Sequence, residues 1–186
     1  MKRITDLLFS IVGTVVTLPL FMVVIFVLIF ENKGKKVIFS QIRIGKFGKP
    51  FTIYKFKTMS DENGKITPFG RFLRKSKLDE LPQFFNIMKG DMSFVGPRPD
   101  IPGYYDQLKG NDRKVLNLKP GLTSEAGLKY RNEEELLANQ KDPLKYNDEV
   151  LFPDKVRMNL HYLENQSLFL DLQIIFKTFL SLFKFY

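Results

Sequence analysis

The run from Leu7 to Phe30 carries no charged residue; Asp6 and Glu31 bound it, so it is 24 residues long. About 20 apolar residues are enough for a helix to cross the hydrocarbon of a bilayer. A secretory signal has a shorter apolar region and then small residues at a cleavage site, whereas here Glu31 to Lys36 follow. The segment therefore points to a membrane. Two features work against a plain span. Pro19 sits in mid-run, where proline removes a helix hydrogen bond and breaks or kinks the helix. Basic residues flank both ends, Lys2 and Arg3 before and Lys33, Lys35 and Lys36 after, and basic flanks favour the cytoplasmic side. A helix that enters one leaflet, breaks and returns satisfies both features. A kinked single-pass anchor satisfies only the first. Irregular backbone at that depth needs internal partners, and Thr14 and Thr17 stand upstream of Pro19 with hydroxyls for freed carbonyls.

The other end is also apolar. From Leu168 to Tyr186 nearly everything is apolar or aromatic, and Gln173, Lys177, Ser181 and Lys184 recur at helical steps, forming one narrow stripe. In a chain of 186 residues such a helix is expected to lie in a membrane interface, stripe outward. The middle reads as a soluble domain. Residues 37–44 and 50–56 are β-like, with a turn signal at 46–49 between them, so a hairpin is expected. A loop follows at 60–65, then a short helix at 68–75. Residues 76–89 predict a second helix, with Ser76 as N-cap, Asp79 as its capping-box acid and a bend before Pro82. An exposed helix is expected at 132–140 and a connection at 143–153.

Composition narrows the chemistry. The chain has no cysteine and one histidine, His161. That removes disulfides, thiolate zinc sites and Cys nucleophiles, and it weakens any Ser-His-Asp arrangement. The formal charge is +9, from 29 Lys+Arg against 20 Asp+Glu, which attracts phosphates, anionic lipids or nucleic acid without choosing among them. Arg43, Lys55, Lys57, Arg71, Arg74, Lys75, Lys77 and Arg98 cluster between the β-like runs and a proline-rich stretch. Beside a membrane segment they suggest a phosphate-handling surface. Arg98 stands between Pro97 and Pro99, and a preorganised guanidinium suits a phosphate through two parallel hydrogen bonds; a rigid, salt-bridged surface turn fits the same residues. Asp79 and Glu80 are adjacent, so on a helix they face different ways. One carboxylate could attack phosphorus or hold a cation while the other orients or moves a proton; a capping role for Asp79 remains open. Walker and GxGxxG patterns are absent from the sequence.

Three stretches carry a family resemblance: Phe51-Thr-Ile-Tyr-Lys-Phe-Lys-Thr-Met59, Ser76-Lys-Leu-Asp-Glu-Leu-Pro-Gln83 and Gly90-Asp-Met-Ser-Phe-Val-Gly-Pro-Arg-Pro99. In order and spacing they resemble the bacterial sugar transferases, the monotopic phosphoglycosyl transferases. Lys119-Pro-Gly-Leu-Thr123 and Leu170-Asp-Leu172 add to the match, which covers almost the whole chain. The resemblance implies a ping-pong transfer of a sugar-1-phosphate from a UDP-sugar to undecaprenyl phosphate, with release of UMP. Asp79 would form the covalent phospho-sugar intermediate and help hold Mg²⁺, with Glu80 assisting. Arg98, Arg74 and Lys55 would bind substrate phosphate. The segment around Pro19 would be a re-entrant helix broken at that proline. Leu18 stands where the family often has Ser before the proline, and Ser124-Glu-Ala126 where many members continue Gly-Trp-Ala, a region tied to sugar choice.

The expected fold is an α-rich mixed α/β. A re-entrant membrane helix (1–36) precedes a cytoplasmic catalytic domain (37–186) holding a small β-hairpin and ending in an interfacial amphipathic helix from about residue 165. The expected place is the cytoplasmic face of the bacterial inner membrane, among membrane lipids and downstream glycosyltransferases, at the start of surface glycan synthesis. The chain resembles the minimal catalytic form, without the added transmembrane helices of larger relatives. A second reading is a catalytically inactive, membrane-anchored component of a polysaccharide assembly complex, which the intact Asp79-Glu80 and Pro97-Arg98-Pro99 oppose. A nucleic-acid binder is opposed by the uncharged run.

Overall fold

A computed structural model describes residues 1–183, with side chains through Ser181. The chain falls into two compact units, one of Met1–Arg43 and Phe51–Met92, the other of Ile44–Pro50 and Ser93–Tyr186.

The first unit is organised by α1, Lys2–Glu31, among the described residues the one helix long and apolar enough to cross a membrane. It stays helical through Pro19, so the interruption expected there is not seen as a break in the helix. Thr14 and Thr17 donate to the carbonyls of Ser10 and Gly13, both at 2.7 Å. Hydroxyls returning to the preceding turn in this way bend helices without ending them. The strands β1 (Ile38–Ile44) and β2 (Pro50–Phe56) pair as the expected hairpin. Next come α2 (Pro68–Lys75) and α3 (Gln83–Lys89). The start of α2 is specified locally: Thr67 accepts a hydrogen bond from Gly70 N at 2.9 Å and Pro68 fills the first turn, where its missing N–H has no helical partner to lose. Val24, Leu28, Phe56 and Leu73 form the core. At the other end of α1, Arg3 donates to the main-chain carbonyls of Ile87 and Met88, the latter at 2.7 Å. Both ends of α1 are thus tied to the same unit.

The second unit is mostly helical around one parallel pair. β3 (Ser93–Val95) lies beside β4 (Gly121–Thr123), with Ser93 opposite Gly121 and Val95 opposite Thr123. The helices are α4 (Glu125–Lys129), α5 (Glu133–Ala138), α6 (Pro143–Tyr146), α7 (Phe152–Asn165) and α8 (Leu168–Phe183). Residues 143–153, expected as a connection, are helical: α6 runs through a π-turn at Asn147–Leu151 into α7. Both prolines sit where a helix begins, at the start of α6 and of α7, so neither breaks one.

Polarity is inverted on two helices. On α1 the buried residues include Asp6 and Ser10, while Leu8, Val12, Val15, Val16 and Phe26 are exposed. On α8, Asp171 is buried and bonded to the Tyr162 hydroxyl, and Thr178 meets the Thr123 hydroxyl at 2.6 Å. Phe169, Leu172, Phe176, Phe179 and Leu180 face outward, with Gln173 and Lys177 also exposed. Lys184, the last member of the expected polar stripe, lies outside the described residues. Large exposed apolar faces mark contact with a partner or a membrane, and here polar residues are turned inward.

Candidate active site

The segment between α2 and α3 builds the site, and it differs from the expected helix over 76–89. Ser76 closes α2, its hydroxyl donating to the carbonyls of Phe72 and Leu73 at 2.8 and 3.2 Å. Lys77 then takes a left-handed conformation with φ 58°, a strained choice for a residue with a Cβ. Leu78–Glu80 form a single 3-10 turn, and the helix restarts at Gln83, after Pro82. The physical reason is twofold. A serine hydroxyl can close a helix as well as open one, and Pro82 has no N–H to continue a ladder begun upstream. Asp79 is therefore not a capping-box acid, and the bland account of this carboxylate falls away.

Asp79 and Glu80 are each only 7% exposed. Glu80 is paired with Lys55 of β2, Oε1 to Nζ at 3.0 Å. Asp79 Oδ1 is buried and has no hydrogen-bond partner among the described residues. Burial pushes the Asp79 carboxyl above its ordinary range, and the neighbouring Glu80 charge adds to the rise. Lys55, Lys77 and Arg74 pull in the opposite direction. Arg74 is fixed by its Nε, which donates to Thr58 Oγ1 at 2.9 Å. That contact depends on α2 lying against the strand extension: a Cβ on Gly70 would stand 2.2 Å from the Thr58 carbonyl oxygen.

The first unit thus brings Asp79, Glu80, Lys55 and Arg74 together. Arg98 belongs to the second unit. It is exposed between two buried prolines, on a rigid mount. Gly121 N donates to the Pro97 carbonyl at 2.8 Å and Gly96 N to the Thr123 carbonyl at 3.0 Å. A Cβ on Gly96 would stand 2.2 Å from Lys119 O, and one on Gly121 would stand 2.1 Å from Gly96 N. The Gly90–Pro99 and Lys119–Thr123 stretches therefore meet backbone to backbone, and only glycine permits that approach.

Three residues of the first unit received no role from the sequence. Asn86 is fully buried, donating to Thr52 O at 2.7 Å and accepting from Tyr54 N at 3.1 Å. It pins α3 to β2 as a further strand would. Thr58 holds Arg74, and Gln83 is 2% exposed. Thr58 and Gln83 lie inside the quoted stretches, which was their available signal; Asn86 lies between two of them. His161 is an exposed residue of α7.

The residues suit a hard divalent cation. Mg²⁺ is usually held by one or two carboxylates, with waters and substrate phosphates completing its shell. The unpartnered Asp79 Oδ1 offers one such ligand. No group of three or more metal-ligating side chains occurs among the described residues.

Fold and site define a membrane-associated protein whose buried carboxylate pair is flanked by cations. Residues 1–185 match the family model described as bacterial sugar transferase. The Bacillus subtilis sugar transferase EpsL is 36% identical over 76% of this chain and 67% of its own length. The UDP-glucose:undecaprenyl-phosphate glucose-1-phosphate transferase of Klebsiella pneumoniae is 33% identical over 95% of this chain. The UDP-N-acetylgalactosamine-undecaprenyl-phosphate N-acetylgalactosaminephosphotransferase of Aeromonas hydrophila is 32% identical over the same share. This chain spans 39% and 42% of those two longer proteins. The chain belongs to the bacterial sugar transferase family and is an enzyme of the phosphoglycosyl transferase kind.

Proposed function

We propose that the protein moves a sugar-1-phosphate from a UDP-sugar to undecaprenyl phosphate and so begins the synthesis of a surface glycan. The observation that carries the reading is the Asp79 carboxylate, buried, unpartnered at Oδ1 and set beside the Glu80–Lys55 pair, in a chain of this family. In the first half-reaction an Asp79 oxygen bonds to the β-phosphorus of the donor. The bond from that phosphorus to the bridging oxygen breaks, and UMP leaves with the electron pair. In the second, an oxygen of the lipid phosphate attacks the same phosphorus, the Asp79 ester bond breaks, and the carboxylate is regenerated. A ping-pong order follows from this covalent relay.

Glu80, paired with Lys55, serves as the base toward the lipid phosphate. Lys55 and Arg74 draw Asp79 toward its ionised, nucleophilic form and counter part of the effect of its burial. Arg98 is the proposed phosphate fork. Asp79 would hold Mg²⁺, which supplies charge neutralisation at the phosphate oxygens when bound.

The proposed setting is the cytoplasmic face of the inner membrane, with lipid around α1 and the exposed apolar face of α8. Re-entry of α1 is supported by its two anchored ends, Arg3 on α3 and Leu28 in the core with Phe56 and Leu73. Downstream glycosyltransferases would take the lipid-linked product.

The testing experiment measures UMP release from a panel of UDP-sugars by protein in nanodiscs, with Mg²⁺ and undecaprenyl phosphate. Release that requires both one donor and Asp79 supports the reading. Absence of release with every donor refutes it.

A further inference from the structure

A second buried polar atom of this segment lacks a partner. Gln83 stands four residues after Asp79 and opens α3, and its Nε2 is shielded from solvent with no hydrogen-bond acceptor among the described residues. Buried side-chain donors are nearly always paired, so an unpaired one calls for an explanation. A purely structural account is weak. An apolar side chain of the same length would fill the space without leaving a donor unmet.

The two unmet atoms are chemically opposite. Asp79 Oδ1 is an acceptor that suits a cation, and Gln83 Nε2 is a donor that suits an anionic oxygen. Neither satisfies the other. A lone cation would meet only Asp79, and a lone phosphate only Gln83. A phosphate oxygen accompanied by its divalent cation meets both. Gln83 also carries no charge, so it adds a donor without further altering the charge balance among Asp79, Glu80, Lys55 and Arg74.

We propose that Gln83 is a substrate-binding residue of this site, its carboxamide donating a hydrogen bond to an oxygen of the donor phosphate that Asp79 attacks. The inference rests on the function proposed above. The bond persists on the phospho-sugar ester and holds the phosphorus for the second attack. A hydrogen bond to a charged oxygen, lost without replacement, lowers affinity or rate about 10–100-fold.

The test compares wild type with Gln83→Met and Gln83→Leu, all in nanodiscs. The first readout is binding of UDP in the presence of Mg²⁺, whose terminal phosphate stands in for that of the donor. The second is the melting temperature without ligand. The third is kcat/KM for UMP release. Both variants should bind UDP about 10–100-fold more weakly, lose kcat/KM to a similar degree, and melt no lower than wild type. UDP affinity and kcat/KM unchanged in both variants would overturn the proposal. A lower melting temperature with UDP affinity retained would assign Gln83 to structure instead. A wild type that releases UMP alongside unaffected variants removes only this role of Gln83. A wild type that neither binds UDP nor releases UMP removes the proposed function as well.

Discussion

Asp79→Asn separates chemistry from stability, because this carboxylate is held in the folded protein under unfavourable conditions. Its Oδ1 is buried without a partner and Glu80 adds like charge. Asparagine keeps the shape and removes the charge. Relief of the buried charge and of its repulsion with Glu80, less the attraction to Lys55, Lys77 and Arg74, is worth about 1–3 kcal/mol. For a chain of this size each kcal/mol shifts the melting temperature by about 2–4 °C, so the variant should melt about 2–12 °C higher. The pH dependence has a definite sign. The folded-state pKa is raised above the ordinary 3.8, so between the two values the folded protein binds more protons than the unfolded chain. This contribution to wild-type stability is fully present below the unfolded value and is lost as pH rises through the folded one. Asparagine does not titrate, so the advantage of the variant should grow with pH through that window and then level off. Turnover should fall at least about 1000-fold, or about 4 kcal/mol of barrier. Thermal melts in nanodiscs at several pH values, paired with UMP release, check both halves. A melting temperature equal to or below that of wild type would refute the account of a strained carboxylate. Retained turnover would refute the covalent relay.

Arg98→Lys should reduce kcat/KM for UMP release at least about tenfold, since a lysine cannot offer the planar fork; its melting temperature should stay within about 1 °C, because the side chain is exposed and surface changes are small. Asn86→Ala should lower stability by about 2–5 kcal/mol, because it leaves both Thr52 O and Tyr54 N unmet beneath α3; a thermal or denaturant melt measures this. The chain has no cysteine, so Lys2→Cys and Lys35→Cys report topology directly. Both should react with an impermeant thiol reagent only from the cytoplasmic side, and reaction from opposite sides would establish a span.

Local signals were read well where one residue type had one use. The hairpin followed from two β-like runs around a glycine turn, and the short helix expected at 68–75 is α2. The segment after α2 was misread because its cues are ambiguous. Ser76 can cap either helix end, and Asp79 three residues later has capping-box spacing whether or not a helix begins there. Packing then brings Lys55 to the turn from a distant position. Pairings of that kind have no sequence period. The same holds for Asn86 on β2, for Gly96 against Gly121, and for Tyr162 on Asp171. The two apolar helices teach a separate lesson. Periodicity says that the faces of α8 differ, but not which face meets solvent. In water Asp171 and Thr178 would be expected to point outward. They point inward and pair, while Phe169, Phe176 and Phe179 are exposed. Burying polar groups and exposing rings is favourable only where the surroundings are themselves apolar. The inversion on α1 and on α8 is therefore an argument for apolar surroundings, a partner or a membrane, at both surfaces, and it rests on packing that the order of residues alone leaves open.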